Sequence, residues 1–361
     1  MRGRMARELA FGAAVLPVCL GVHLSWLGFD LRLRPRPSLL NDYWRARVPD
    51  VIYGRAHRPF VRRALVPCVV RGLRSVLGKE AARGLRRVVS RPPLRLPRKM
   101  GILGWEDEFL LEYALAASLT FLCLLGFALA LRALIAGLFE APALSLMAPP
   151  LAVLLLPPLF FSKGTHYLYD FATLFIVTGA LAALVRGRIV LFYVAVALGA
   201  WNKETILLLL PLFAVAEARR GWSRRRIALE LLLLLGLIAG IQLALAWTFA
   251  RNPGGAFELN LVKNLRLARS ATGFLSLLLL ASALGVVLAR PARKPAFIRW
   301  ALLCLLPPLI VAYPLFGIWG EVRFFYEVFP VAFVAALQNA VEAAGLALPA
   351  RPEWAGVGAQ T

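Results

Sequence analysis

The sequence predicts an all-α fold, a polytopic transmembrane helical bundle, from three observations. Hydrophobic residues make up 60% of the 361, and the mean hydropathy is +0.72, beyond what a soluble domain of this size carries. Stretches such as 109–131 and 227–249 are almost uninterruptedly apolar over the roughly 20 residues that take a helix across the hydrocarbon. Lys and Arg, which give a formal charge of +23, fall as punctuation between apolar runs. That is the pattern of membrane topology, so no nucleic-acid partner is expected.

Hydropathy marks about ten membrane segments, at 8–29, 109–131, 143–161, 167–185, 189–200, 205–216, 227–249, 271–289, 300–316 and 327–345. The first follows Arg2, Arg4 and Arg7 in the manner of a signal sequence. Its length, and Trp26 where small residues should precede a cleavage site, predict an uncleaved helix. Residues 1–345 read as a single transmembrane domain and 346–361 as a flexible cytoplasmic tail.

Orientation follows from the connections. With the N-terminus inside, the cytoplasmic loops carry Arg186 and Arg188, five arginines between 219 and 226, and Arg290, Arg293 and Lys294, as the positive-inside rule requires. A plasma-membrane protein with both termini cytoplasmic is expected. One loop conflicts: between residues 30 and 99 the long first outer loop, 30–108, carries a net charge of +15. The rule weakens for loops beyond roughly 60 residues, and reversing the chain would violate every later short loop. Within it, 66–89 places apolar residues at 66, 69, 70, 73, 76 and 77 with arginines largely on other faces, which predicts a helix lying on the membrane surface, with Pro67 in its first turn; it either touches lipid phosphates as a solvated basic helix or has a role towards the substrate.

The candidate site residues lie on the face opposite those basic loops. Residues 189–216 are apolar except for Asn202, Lys203, Glu204 and Thr205. A single helix would put two basic loops on opposite sides, so a short hairpin is expected. Each arm of about 12 residues rises roughly 18 Å, short of the roughly 30 Å hydrocarbon. An ionisable pair at that depth faces either a wet cavity or a partner, so Lys203 and Glu204 read as cavity-lining or as an internal pair. Asp170, one turn into the next helix, wants a cation or caps the helix. His166 is either a site residue or a hydrogen-bonded loop residue. Glu321 and Arg323 form a plain bridge, or Arg323 holds a phosphate through its planar fork. In the first outer loop Asp30 and Asp42 are the candidate acids; Asp42, beside Asn41 and among aromatics, reads as a base, a ligand for a divalent cation, or a turn acid.

The sequence contains no Walker loop, no Rossmann fingerprint, no HExxH and no paired CxxC, which sets cytoplasmic nucleotide chemistry aside. Cys19, Cys68, Cys123 and Cys304 are scattered and imply no disulfide framework.

Taken together, Arg63-x-Leu65-x-Pro67 in the long first loop, Tyr169-Asp170 opening a span, Asn202-Lys203-Glu204 between two short helices and Glu321-x-Arg323-Phe324 before a late span resemble bacterial multi-pass glycosyltransferases of the GT-C type. The resemblance runs from about residue 30 to 330. It implies a polyprenyl-phosphate-linked sugar as donor, an extracytoplasmic acceptor and an acid of the first outer loop as the catalytic group: Asp42, with Asp30 second. Arg63, His166, Asp170, Asn202, Lys203, Glu204, Glu321 and Arg323 would line the substrate and phosphate site. A carrier or flippase for an anionic lipid and a non-catalytic membrane scaffold stand as alternatives.

Overall fold

The computed structural model describes residues 2–27, 44–89, 106–157 and 167–351. Over these the chain is helical: α1 (Arg2–Trp26), α2 (Val48–Ile52), α3 (Leu65–Val89), α4 (Leu110–Leu138), α5 (Pro142–Leu154), α6 (Asp170–Val185), α7 (Ile189–Asn202), α8 (Leu209–Arg219), α9 (Arg224–Thr248), α10 (Leu261–Ala268), α11 (Ala271–Leu288), α12 (Ala296–Phe316) and α13 (Phe329–Ala343).

The expectation of about ten membrane segments is corrected. Among the described residues four helices are long and apolar enough to cross a bilayer: Met5–Trp26, Leu110–Leu138, Arg224–Thr248 and Ala296–Phe316. A fifth counts if Leu261–Ala268 and Gly273–Leu288, bent by 96°, form one span. The physical reason is helix length. The apolar runs near 143, 167, 189, 205 and 327 become helices of 13, 16, 14, 11 and 15 residues, at most about 24 Å of rise, because their ends are spent on turns, prolines and polar anchors. A hydropathy window sees the apolar residues but not where the helix stops. The chain is thus a multi-span helical membrane bundle built from long and short helices.

At its centre α4 packs on α6, α5, α3 and α1. Glycines let α4 and α6 approach: a Cβ at Gly126 would lie 2.9 Å from the Phe175 ring and one at Gly137 2.7 Å from the Val185 side chain. Small residues play this part where lipid removes the hydrophobic drive between helices. Around this pair α6 packs on α7, α7 on α9, α8 on α9 and α12, and α12 on α13. Buried polar groups tie helices together: His23 shares a hydrogen bond of 3.0 Å with Thr120, and Glu112 at the start of α4 takes both Arg74 of α3 and the Tyr53 hydroxyl.

The expected interfacial helix is α3, which breaks at Gly78 (φ 66°). Val66 and Val70 are buried, whereas Val69, Leu73, Val76 and Leu77 are exposed. Of the expected tail, residues 349–351 lie against the end of α4: Glu140 N–H donates to Pro349 O at 2.9 Å and Arg351 N–H to Leu138 O at 2.9 Å.

The predicted hairpin is present as α7 and α8, with Phe192 and Phe213 stacked at 5.1 Å. Lys203 adopts an extended conformation that ends α7, and a 3-10 turn, Glu204–Leu208, leads into α8. Gly199 makes the reversal possible, since a Cβ there would lie 2.5 Å from Ile206 Cγ1. Gly199→Ala is therefore expected to cost about 1–3 kcal/mol through overpacking, measured by thermal unfolding in detergent. A wild-type melting curve would mean that Ile206 yields freely.

Candidate functional site

The short helices bring their polar ends to one end of the bundle. The first residue of α6, the last of α7, the turn into α8 and the segment before α13 meet there, while the basic turns 186–188, 219–226 and 290–294 cap the other ends of the same helices. Lys203, Glu204 and their surroundings form four ion pairs around three cations.

Lys203 Nζ donates to Glu327 Oε1 at 2.6 Å, with the Glu327 side chain 1% exposed; the Thr205 hydroxyl donates to the same oxygen. Arg63 Nη2 donates to Glu204 Oε1 at 2.8 Å, and its Nη1 to the Tyr169 hydroxyl. The Arg63 guanidinium also lies 4.4 Å from the centre of the Tyr169 ring, within the range of a cation–π contact. Arg323 reaches Asp170 Oδ2 at 3.5 Å and Glu321 Oε2 at 3.2 Å, and stands 4.2 Å from the centre of the Tyr167 ring.

Lys203 and Glu204 therefore do not pair with each other; each binds a distant segment. Asp170 has its cation in Arg323 and also accepts the Tyr167 backbone N–H at 3.1 Å. Asn202 donates to Thr173 Oγ1 at 2.9 Å and to Tyr169 O at 3.2 Å, pinning the end of α7 to the start of α6. Glu321 and Arg323 form the bridge that their spacing suggests. Asp30, Asp42 and His166 lie outside the described residues.

Electrostatics favour the charged forms of Arg323 and Glu204. Burial lowers the affinity of the Arg323 guanidinium for its proton, but Asp170 and Glu321 outweigh it and hold its pKa well above the usual value. Burial likewise pushes Glu204 up, and the stronger pull of Arg63 leaves it well below the ordinary carboxylate range. Three cations (Arg63, Lys203 and Arg323) thus face four carboxylates (Asp170, Glu204, Glu321 and Glu327). Several donors and acceptors are left over: Arg63 Nε, Arg323 Nε, the Tyr326 hydroxyl, Glu327 Oε2 and Asn202 Oδ1 are buried with no hydrogen-bond partner among the described residues. Unspent buried polar atoms call for an explanation such as a bound group or a water.

The space among them is narrow. A cavity of about 10 Å³ is lined by Thr173, Asn202, Lys203 and Thr205 with apolar neighbours, about the room one water needs. A second of the same size lies under the stacked Tyr167 and Tyr169, beside Phe60 and Val51. The first is partly polar and the second apolar and aromatic, and each has the room of about one water.

Sequence reasoning singled out Arg63, Asp170, Asn202, Lys203, Glu204, Glu321 and Arg323, and all seven are brought together. It assigned no role to Glu327, which anchors Lys203. The signal was available: an acid directly before an apolar helix, at the end where an intramembrane lysine needs a counter-ion. Among the described residues no group of three or more His, Cys, Asp or Glu side chains is arranged to hold a metal ion. No protein-family model, no curated protein and no solved structure matches the chain.

Proposed function

We propose that this chain is a GT-C-type membrane glycosyltransferase that moves a sugar from a polyprenyl-phosphate donor to an acceptor, at the end of the bundle bearing the ion-pair cluster. By the positive-inside rule that end faces away from the cytoplasm, with the basic turns 186–188, 219–226 and 290–294 inside, in the plasma membrane. The observation that carries the reading is the convergence of Arg63, Lys203 and Arg323 from three remote parts of the chain, two of them with a buried Nε–H still unpartnered.

In this reaction the acceptor hydroxyl oxygen bonds to the anomeric carbon, the bond from that carbon to the phosphate oxygen breaks, and polyprenyl phosphate leaves with the electron pair. A carboxylate takes the acceptor proton; from the resemblance this is Asp42. Charge grows on the leaving phosphate, where the Arg63 and Arg323 donors and the Lys203 ammonium stabilise it. A lipid donor places that phosphate at headgroup level with its tail against the exposed apolar helix faces, and no nucleotide site is required.

A second reading, a membrane scaffold, draws on one observation: each of the three cations already has a carboxylate. Reconstituted chain supplied with radiolabelled polyprenyl-phosphate sugars separates the two. Label transfer to an acceptor, lost in Asp42→Asn with donor binding retained, supports the enzyme. No transfer with any donor, together with binding that is also absent, leaves the scaffold. Saturable donor binding or flipping without transfer indicates a carrier.

A further inference from the structure

We propose that Arg58 and Arg62 form a seat for a phosphate group presented at this end of the bundle. The segment 44–63 holds six arginines. Four have a carboxylate: Arg45 pairs with Glu258 at 2.9 Å, Arg47 with Glu106, Arg55 with Asp50 at 3.5 Å and Arg63 with Glu204 at 2.8 Å. Arg58 and Arg62 have no ion pair among the described residues. Neither projects freely into solvent: both are half-buried, and the Nε of each is buried with no hydrogen-bond partner among the described residues. Holding two partly dehydrated guanidiniums without a counter-ion is costly, and an anion that accepts from both removes the cost.

The segment is also stiff, as a preformed seat requires. Residues 57–63 form a tight turn, with Val61 N–H donating to His57 O at 3.1 Å and Arg62 N–H to Pro59 O at 3.1 Å. The connection after α9 straps it down: Arg58 N–H donates to Pro253 O at 2.8 Å, and Asn252 Nδ2 donates to Gly54 O at 2.8 Å and Ala56 O at 2.9 Å. Gly254 (φ +93°) lies so close that a Cβ would stand 2.6 Å from Arg58 O. At its other end Ala64 N–H donates to Trp201 O at 3.1 Å, beside the Lys203 turn, and Arg63 enters the ion-pair cluster. Phe60, between the two free arginines, packs on Tyr167 with ring centres 5.0 Å apart.

Guanidinium forks match the oxygens of a phosphate through paired N–H donors. Arg62 adjoins Arg63, which enters the ion-pair cluster, so the seat lies beside that cluster along the chain. That the phosphate belongs to a lipid rests on the function proposed above; the seat itself rests only on the unpaired arginines. The same chemistry would take free phosphate, and the test distinguishes the two.

The full chain is placed in phosphatidylcholine nanodiscs, and binding of labelled polyprenyl phosphate is measured against labelled polyprenol and inorganic phosphate. Wild type is expected to bind the lipid phosphate and to bind polyprenol at least about tenfold more weakly. The double variant Arg58→Gln/Arg62→Gln is expected to lose at least about tenfold in affinity, whereas Arg55→Gln, already paired and exposed, keeps it. Inorganic phosphate binding as tightly as the lipid supports the seat with a soluble ligand. Should the double variant fold poorly, wild type is labelled with an arginine-specific dicarbonyl in the presence and absence of polyprenyl phosphate: protection at Arg58 and Arg62 supports the seat. Unchanged affinity in the folded double variant, equal binding of polyprenol, or no protection at either arginine overturns it. Donor binding through Arg58 and Arg62 without sugar transfer would overturn the glycosyltransferase alone.

Discussion

Glu327→Ala is expected to destabilise the protein by about 3–5 kcal/mol, the effect of leaving a buried charge without its partner. The Glu327 side chain is 1% exposed and accepts from both Lys203 and Thr205, so its removal orphans an ammonium and a hydroxyl that have room for only about one water beside them. The companion experiment is Lys203→Met/Glu327→Leu, in which both charges go and the volume is roughly kept. Replacing a whole buried pair by apolar groups is often neutral, so most of the stability should return, read by unfolding in mixed micelles as a double-mutant cycle. The double variant is also a functional probe: it should fold but fail to transfer sugar, because the Lys203 ammonium is gone. A single variant as stable as wild type would show that Lys203 finds water or another acid.

Arg323→Ala is expected to lower transfer by about 10²–10³-fold, the scale for losing a donor that stabilises developing charge. Arg323 makes contacts that one point charge cannot reproduce: the carboxylates of Asp170 and Glu321 and the Tyr167 ring face. Arg323→Lys keeps the charge and discards the fork; it should fold close to normally and transfer at an intermediate rate. Rates are taken per folded molecule at saturating donor. If Arg323→Lys matches wild type in rate and only Arg323→Ala suffers, in proportion to lost folded protein, Arg323 is a structural tie and has no part in the transfer.

The membrane character of the chain, the hairpin reversal at Lys203 and the grouping of seven polar residues were legible in the residues. Each follows from a local incompatibility: charged groups in apolar runs, or basic turns that cannot lie on opposite faces. The number of crossing helices was not. The apolar runs at 143–161 and 167–185 have the composition of spans, yet Pro142–Leu154 and Asp170–Val185 are shorter than a bilayer. Hydropathy scores side chains, and it does not register the residues that leave the helix to supply caps, turns and ion pairs.

Pair identity was equally hidden. Lys203 and Glu204 are neighbours in sequence and look like a pair, but Lys203 is extended and the two side chains serve Glu327 and Arg63. Nor does any pattern distinguish Arg58 and Arg62, unpaired among the described residues, from Arg45, Arg47, Arg55 and Arg63, paired, since the partners lie up to 213 residues away.

Composition and charge spacing alone established a helical membrane protein with basic turns at one face and ionisable residues gathered at the other, because transfer into lipid depends on side-chain chemistry that any window of sequence displays. Which carboxylate neutralises which cation, which cations stay uncompensated and where each helix ends were set by packing, because an ion pair forms over a few ångströms and only the folded chain brings residues 63 and 204, or 203 and 327, within that distance.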